Sequence, residues 1–393
     1  MPPVSYNAPV PRIAPFDGLL YDPGVGDLAT VTAPPYDVIL PQDLARYQRR
    51  EHNIARVDLG EAGPEDQYRG AGGLLRRWRD EGVLAPVGEP SVYGYEMRFK
   101  YRAEERIVRG VIVEVGLEPW SDGGAPGIIP HERTMPGPIE DRLAHLRATA
   151  ANLSPIYAVA MGPCPQQAEL LQRVSARDPD RELVDEEGVR HRLWVEPGDA
   201  GLPPWYRDQS LLIADGHHRY QTALAHRDEI ADGGAGDAVM MLIVDAAVEH
   251  PPVLPIHRVV SVDPLPGVPG DRVRDLGEVL AWLVEDDLRF GACFREDGDL
   301  VHLVGRLEGE PPTVSALHDR LLSGMPGVRD VAFVQDPALA EELVHTRARD
   351  LALFLPPARV EHVRAVVEGG GRLPEKSTYF WPKPRTGMVI RPL

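Results

Sequence analysis

Residues 211–230 read LLIADGHHRYQTALAHRDEI. A short apolar run ends at Asp215-Gly216-His217-His218-Arg219 and passes into a segment of helical composition, so the stretch reads as a buried strand handing over to a helix. In α/β proteins that junction is where ligands are held. Gly216 permits a tight turn and close backbone approach, and the helix start offers unpaired N–H groups and the positive end of the dipole. The turn therefore suits a phosphate. Arg219 can grip it through two parallel hydrogen bonds, His217 and His218 can donate from their rings, and Asp215 can coordinate magnesium or orient a histidine. The plainer alternative makes Asp215 a helix cap and the histidines satisfied turn residues.

Zinc is the rival ligand for the two histidines. One turn after His218 stands Thr222, and no His-Glu-x-x-His arrangement occurs, so a zinc site there needs help from His131, Glu132 or His257. The only cysteines, Cys164 and Cys293, build neither a disulfide framework nor a four-cysteine zinc site. They read as reduced thiols of a cytoplasmic protein.

The composition narrows the partners. Of 393 residues, 43% are hydrophobic and 26% charged, the proportions of a globular protein, and the net charge of -18 argues against broad binding to nucleic acid. The opening MPPVSYNAPVPRIAPF lacks the basic and apolar regions of a signal peptide. The strongly apolar run AVMMLIV at 238–244 is far too short for a membrane span and reads as a buried strand. A cytoplasmic location with no membrane partner is expected.

Along the chain, strands and helices alternate into an α/β, mixed α+β pattern. An antiparallel pair is expected from PSVYGYEMRFKY and ERIVRGVIVEVGL, and a hairpin with an Asp-Gly turn from GACFREDGDLVHLVG. PIEDRLAHLRATAANL reads as one helix with Ile139, Leu143, Leu146, Ala150 and Leu153 on its apolar stripe, and with Asp141 and His145 pointing away from it. The break SVDPLPGVPGDR divides the chain into a main domain, 1–262, and a C-terminal α/β lobe, 263–393. The lobe ends in a basic, aromatic tail that either closes a pocket or packs back on the main domain.

Three further stretches carry chemistry. In IIPHERT, His131, Glu132, Arg133 and Thr134 form a dense polar loop ahead of a helix bearing Asp141 and Arg142; Glu132 suits a general base, or the loop is simply a solvated set of ion pairs. In APPYDVI, paired prolines stiffen the turn that presents Asp37. PIHRVV places His257 on a strand, and PEKSTYFWPKPRTG offers Lys376, Lys383 and Arg385 among aromatic residues.

The ordered blocks PFDGLLYD, APPYDVI, HNIARVDL, IIPHERT, DRLAHLRATAANLSPIY, ADGHHRYQTAL, PIHRVV and PEKSTYFWPKPRTG resemble an uncharacterised bacterial and archaeal family, domain of unknown function number ten-fifteen. The likeness runs from about residue 12 to 390. Within it, DGHHR resembles the nucleotide-facing signature of the free-serine kinases of the ParB and sulfiredoxin superfamily. That resemblance implies a ParB/sulfiredoxin-like core with the added lobe, ATP or ADP with magnesium as cofactors, and serine or phosphoserine as substrate. Carried across, Asp215 would be the metal or catalytic carboxylate, and Gly216, His217, His218 and Arg219 the phosphate cradle; from the residues themselves His218 is also a catalytic candidate, and His131, Arg133 and Thr134 are candidates for phosphate or nucleotide binding. The same residue-level reading makes Asp37, Asp141, Arg142, His257 and Lys376 supporting candidates.

The acidic balance and the lack of a basic helix-turn-helix set aside the DNA-binding relatives. The chain has no Gly-x-x-x-x-Gly-Lys loop, so any lysine for the transferred phosphate must come from elsewhere, with Lys376 and Lys383 as candidates. The expected function is a phosphotransferase acting on a small hydroxylated metabolite. The alternatives are a phosphate-ester hydrolase acting on phosphoserine and a nucleotide- or metabolite-binding protein without turnover.

Overall fold

The computed structural model describes residues 11–60, 67–121, 127–134, 136–204, 206, 209–230, 233–284 and 286–393; residues 1–10 of the opening segment lie outside these. The chain forms two compact units. The first holds the residues up to Pro130, Thr134–Pro251 and Pro382–Leu393, and the second holds His131–Arg133 and Pro252–Trp381. The mixed α+β expectation is met.

The expected antiparallel pair forms the long hairpin β1 (Ser91–Tyr101) and β2 (Glu104–Gly116). The first-unit sheet continues through β3 (Ile128–Pro130), β4 (Ile156–Ala160), β5 (Arg181–Val184), β6 (Arg190–Pro197), β7 (Leu211–Asp215) and β8 (Ala238–Asp245). Its order is β3-β7-β4-β8-β2-β1-β6-β5. Strand β8 runs parallel to β4 and antiparallel to β2, and β7 runs antiparallel to β4 and parallel to β3. Helices cover central strands, so β4, β7 and β8 read as unbroken apolar runs rather than alternating ones. Around the sheet lie α1 (Gln67–Asp80), α2 (Pro136–Thr149), α3 (Pro165–Ser175) and α4 (His217–Ile230). Among the described residues no helix is long and apolar enough to cross a membrane.

Helix α2 is shorter than its apolar stripe suggested. Ala150 takes a φ of 45°, which ends the helix, and Ala151–Asn152 then pair as a short strand with Arg391–Pro392. Ala150 and Leu153 thus leave the stripe because a pairing with the far end of the chain claims Ala151 and Asn152 between them. His145, expected to point outward, is only 6% exposed.

The tail divides between the units. From Pro382 onward it belongs to the first, where Thr386 bridges Ala33 and Ile390 bridges Leu19. Arg391, 2% exposed, ends this run with its guanidinium 2.7 Å from Glu114.

Apart from His131–Arg133, the second unit runs from Pro252 to Trp381, so its long segment starts ahead of the break at 261–272. The reason is β9 (His257–Val262), which is hydrogen-bonded on both sides within a six-stranded antiparallel sheet. That sheet also contains β10 (Asp271–Val273), β11 (Arg289–Glu296), β12 (Asp299–Arg306), β13 (Val328–Val334) and β14 (Leu351–Phe354), in the order β10-β12-β11-β14-β9-β13. The expected hairpin is β11–β12, and both turn residues, Asp297 and Gly298, have positive φ, as a type I′ turn requires. Helices α5 (Leu276–Leu283) and α6 (Pro337–His345) pack on one face.

Packing of α1 on α2 depends on Gly72. A Cβ there would stand 1.9 Å from the Ala148 carbonyl oxygen, whereas at Gly73 it would meet nothing within 4 Å. Gly72→Ala is therefore expected to destabilise the protein by roughly 1–3 kcal/mol or more. Gly73→Ala should stabilise it by about 0.5–1 kcal/mol through helix propensity. Denaturant midpoints of the two variants moving in opposite directions would check the packing.

Candidate functional site

Every residue of β7 is buried, and the strand delivers Asp215 to its end with 9% exposure. Gly216 follows with a φ of 98°, and α4 starts at once, its first turn closed by the Tyr220 N–H donating to the Gly216 carbonyl at 2.9 Å. The strand-to-helix junction read from the sequence is therefore present. Tyr220 anchors the helix from its far side, its hydroxyl donating to the Glu118 carbonyl at 2.8 Å.

The groups at this junction hold one another. Arg219, one turn on, donates from Nη2 to Asp215 Oδ2 at 2.7 Å and from Nη1 to Ser154 Oγ at 2.7 Å and the Pro155 carbonyl at 2.9 Å. The other carboxylate oxygen of Asp215 accepts from the Lys383 ammonium, brought in by the tail. The residues present do not fit a magnesium site at Asp215, because each of its oxygens already faces a protein cation. Arg219 is likewise engaged, and its bonds tie the start of α4 to the turn before β4. His217 is buried and His218 half-buried on the first helical turn.

Beside this junction the first unit contains a cavity of about 50 Å³ lined by Tyr36, Asp58, Arg142, His145, Ser154 and Arg219, among others. Arg142 is 5% exposed. It donates to Asp58 Oδ1 at 3.1 Å, to Asp141 Oδ2 at 2.9 Å and to the Tyr68 hydroxyl at 2.8 Å, and it lies 4.2 Å over the Tyr36 ring. Burial works against its charge, but Asp58, Tyr68 and Asp141 outweigh that and hold it more firmly protonated than a free guanidinium. His145 experiences the reverse. Burial, with Arg142 adding to it, pushes its pKa down to about 4 against the opposing pull of Asp58. Its ring is neutral in the folded protein near neutral pH.

A second arginine of the tail is unusual. Arg385, 2% exposed, spends Nη1 on both oxygens of Glu186 at 3.1 and 3.0 Å, while its buried Nε and Nη2 have no hydrogen-bond partner among the described residues. Those two atoms form one edge of the guanidinium, the edge that binds carboxylates and phosphates side-on. Its backbone N–H is held by the Tyr95 oxygen, which in turn contacts His191 Nδ1 at 2.9 Å, and His191 Nε2 lies 3.0 Å from Asp185.

Of the residues expected at the site, Arg142 and Arg219 line one cavity, and Asp141 is bound to Arg142. Thr134 belongs to the same unit and donates to Gln221 at 2.6 Å. Asp37 is exposed, and its neighbour Tyr36 is the residue that lines the cavity. His131, Glu132 and Arg133 belong to the second unit. There His131 Nε2 lies 2.6 Å from Thr378 Oγ1, Glu132 accepts the Ser377 N–H at 3.0 Å, and the Arg133 N–H donates to the Leu373 carbonyl. His257 is a core residue of that unit, 1% exposed, accepting the Leu355 N–H and packed on Phe354. Lys376 contributes its carbonyl to Arg258. Asp58, His145, Ser154 and Tyr36 join the cavity without being candidate site residues in the sequence. The signal that could have found them is that each lies in one of the ordered blocks, Tyr36 in APPYDVI, Asp58 in HNIARVDL, and His145 and Ser154 in the block that holds Arg142.

A mixed sheet with a strand-to-helix turn carrying a paired acid and guanidinium places the first unit among mixed α+β folds. The chain belongs to the family described as protein of unknown function (DUF1015), whose model matches residues 13–279. No curated protein matches its sequence. Among solved structures it is similar to a free serine kinase in complex with AMP, at 14% identity and a TM-score of 0.35, over 68% of this chain and 96% of that one. It is also similar to a conserved hypothetical protein from Pyrococcus furiosus, at 14% identity and a TM-score of 0.35, over 65% of this chain and 90% of that one. A third likeness is to SbnI with a C-terminal truncation from Staphylococcus aureus, at 14% identity and a TM-score of 0.34, over 65% and 80%. At such identities and scores these likenesses bear on neither ligand nor reaction.

Two outcomes test the site. A Cβ at Gly216 would meet the Arg219 guanidinium at 3.0 Å in a backbone conformation that disfavours it, so Gly216→Ala should cost about 1 kcal/mol or more in unfolding free energy. The second concerns acid. Unfolded, His145 titrates near 6.5, and folded near 4. Between those values the unfolded chain binds a proton that the folded one refuses, so stability falls as pH drops through this window, by roughly 3 kcal/mol in all. His145→Gln should flatten that slope in urea unfolding measured from pH 7 to 4.5; an unchanged slope would mean that the ring is not held neutral.

Proposed function

We propose that the Arg142–Arg219 cavity receives the phosphate of a nucleotide or phosphorylated metabolite, and that the protein is a phosphotransferase acting on a small hydroxylated metabolite, with free serine the favoured acceptor. One observation carries this reading. Blocks far apart in the chain, APPYDVI, HNIARVDL, DRLAHLRATAANLSPIY and ADGHHRYQTAL, all send residues to the walls of one cavity. A volume of about 50 Å³ admits a phosphate group or a few waters. The remainder of the ligand lies outside it.

Phosphoryl transfer asks a protein chiefly for positioning and charge neutralisation. Arg142 and Arg219 supply fixed planar cations, and Ser154 and Thr222 supply hydroxyls. Lys383, with its flexible four-carbon stem, is the cation best able to leave its partner for an incoming phosphate. Its departure frees one oxygen of Asp215, a carboxylate then able to accept the proton of a substrate hydroxyl. The orphaned edge of Arg385 also supports an anionic ligand in this unit.

The test is thermal unfolding of the wild type and Arg219→Ala with ATP, ADP, serine and phosphoserine, combined with product analysis. A nucleotide-dependent rise in Tm, roughly tenfold or more weaker in affinity for the variant, with serine-dependent formation of phosphoserine, is the expected result. Phosphate release from phosphoserine without nucleotide would replace the kinase with a hydrolase. Stabilisation with no product would make the protein a ligand-binding protein, and no stabilisation by any of the four would remove the phosphate reading.

A further inference from the structure

The β11–β12 hairpin of the second unit brings together three side chains that the proposed phosphate site does not use. Glu296 pairs with Asp299 across the two-residue turn, which sets the register so that Cys293 falls opposite His302. Directly opposed residues of an antiparallel pair project from the same face. That face carries Val259, Val304 and Phe354 and is covered by α5, which contributes Val279, and by α6. From α6, Glu341 reaches the same spot, its Oε1 2.6 Å from His302 Nε2. The donor atoms of Cys293, His302 and Glu341 all lie within 4.8 Å of one another.

Their surroundings differ from those of a surface ion pair. Cys293 is 0% and His302 7% exposed, while the Glu341 side chain, at 29%, keeps one side of the cluster open to water. A sulfur, an imidazole nitrogen and a carboxylate oxygen arriving from two strands and a helix form a mixed S/N/O donor set, which suits zinc and not magnesium or calcium.

We propose that Cys293, His302 and Glu341 bind a zinc ion, with water as the fourth ligand on the Glu341 side. Tetrahedral donors at zinc distances stand roughly 3.3–3.8 Å apart, a spacing these side chains reach by small rotations. The ion replaces the thiol proton, which passes to solvent, and takes the lone pair of His302 Nε2; no electron transfer is involved. Zinc then fastens α6 to the hairpin and stabilises the second unit by mass action.

The experiment uses the full chain, stripped with a chelator and titrated with Co²⁺. Stoichiometric Co²⁺ should give a thiolate-to-cobalt charge-transfer band in the near ultraviolet and tetrahedral bands in the visible. Zn²⁺ should abolish both bands and raise Tm. The charge-transfer band should vanish in Cys293→Ser, persist in Cys164→Ser, and require roughly tenfold or more cobalt in His302→Gln and Glu341→Gln. A wild-type protein without the thiolate band overturns the proposal however the variants fold, and so does a band that survives in Cys293→Ser. Either result leaves His302–Glu341 as a plain hydrogen-bonded pair above a core thiol.

Discussion

The buried carboxylate of Asp215 constrains much of the first unit. An unpaired carboxylate in an apolar interior costs several kcal/mol, so a strand that ends on one must find cations for it. Arg219 comes from one turn further along α4, and this places the guanidinium over the turn and requires a residue without a side chain at 216. Lys383 comes from the far end of the chain. Once Lys383 is fixed on Asp215, Pro382 and Pro384 stiffen its neighbours. The tail then proceeds in register past Ala33 at Thr386, Leu19 at Ile390 and Asn152 at Arg391. Arg391 repeats the theme with Glu114.

Charge balance in this region shapes what can bind. Around the cavity and the junction, the cations Arg142, Arg219 and Lys383 meet the carboxylates Asp58, Asp141 and Asp215. His145 adds no charge near neutral pH, because burial keeps its ring unprotonated. A neutral cluster of this kind exerts little long-range attraction, so an anionic ligand of the kind proposed would have to displace a carboxylate from a cation. Arg142 cannot take part cheaply, being bonded on three sides and stacked on Tyr36. Such an exchange would fall to Lys383, whose ammonium is a point charge on a flexible stem.

Local structure was legible in the sequence wherever neighbours in the chain decide it. The DGHHR junction follows from an apolar run, a glycine and a helical continuation, and the β11–β12 hairpin follows from Asp-Gly between alternating residues. Non-local pairing was not legible. Ala150 and Leu153 fit a helical stripe, yet the tail claims Ala151 and Asn152 as a strand. PIHRVV reads as part of the main domain until its pairing with β13 and β14 is seen. His145 reads as an outward residue, because nothing near it in sequence announces that Asp58 and Val57 will cover it.

The motif blocks sort into two sets, each organised by buried arginine. In the first unit APPYDVI, HNIARVDL, DRLAHL and DGHHR gather around Arg142 and Arg219. In the second, His131–Arg133 of PHERT, PIHRVV and PEKST belong to the unit of Arg258, which is fully buried and has no carboxylate hydrogen-bonded to it among the described residues. Arg258 donates to the carbonyls of Ile256, Glu375 and Lys376, and from Nε to His318 Nε2 at 3.1 Å. Burial lowers its pKa to about 10 against the pull of Glu132 and Glu375. His318 accepts that bond only as a neutral ring, and burial, aided by Arg258, holds its pKa near 4. Its position at the head of a π-helical turn, His318–Leu322, is the kind of local irregularity that reorients one side chain. Backbone dipoles and one neutral imidazole thus do for Arg258 what carboxylates do for Arg142. A shared polar motif in the sequence therefore reports a buried cation to be satisfied before it reports a reaction, and the two units meet that demand with different chemistry.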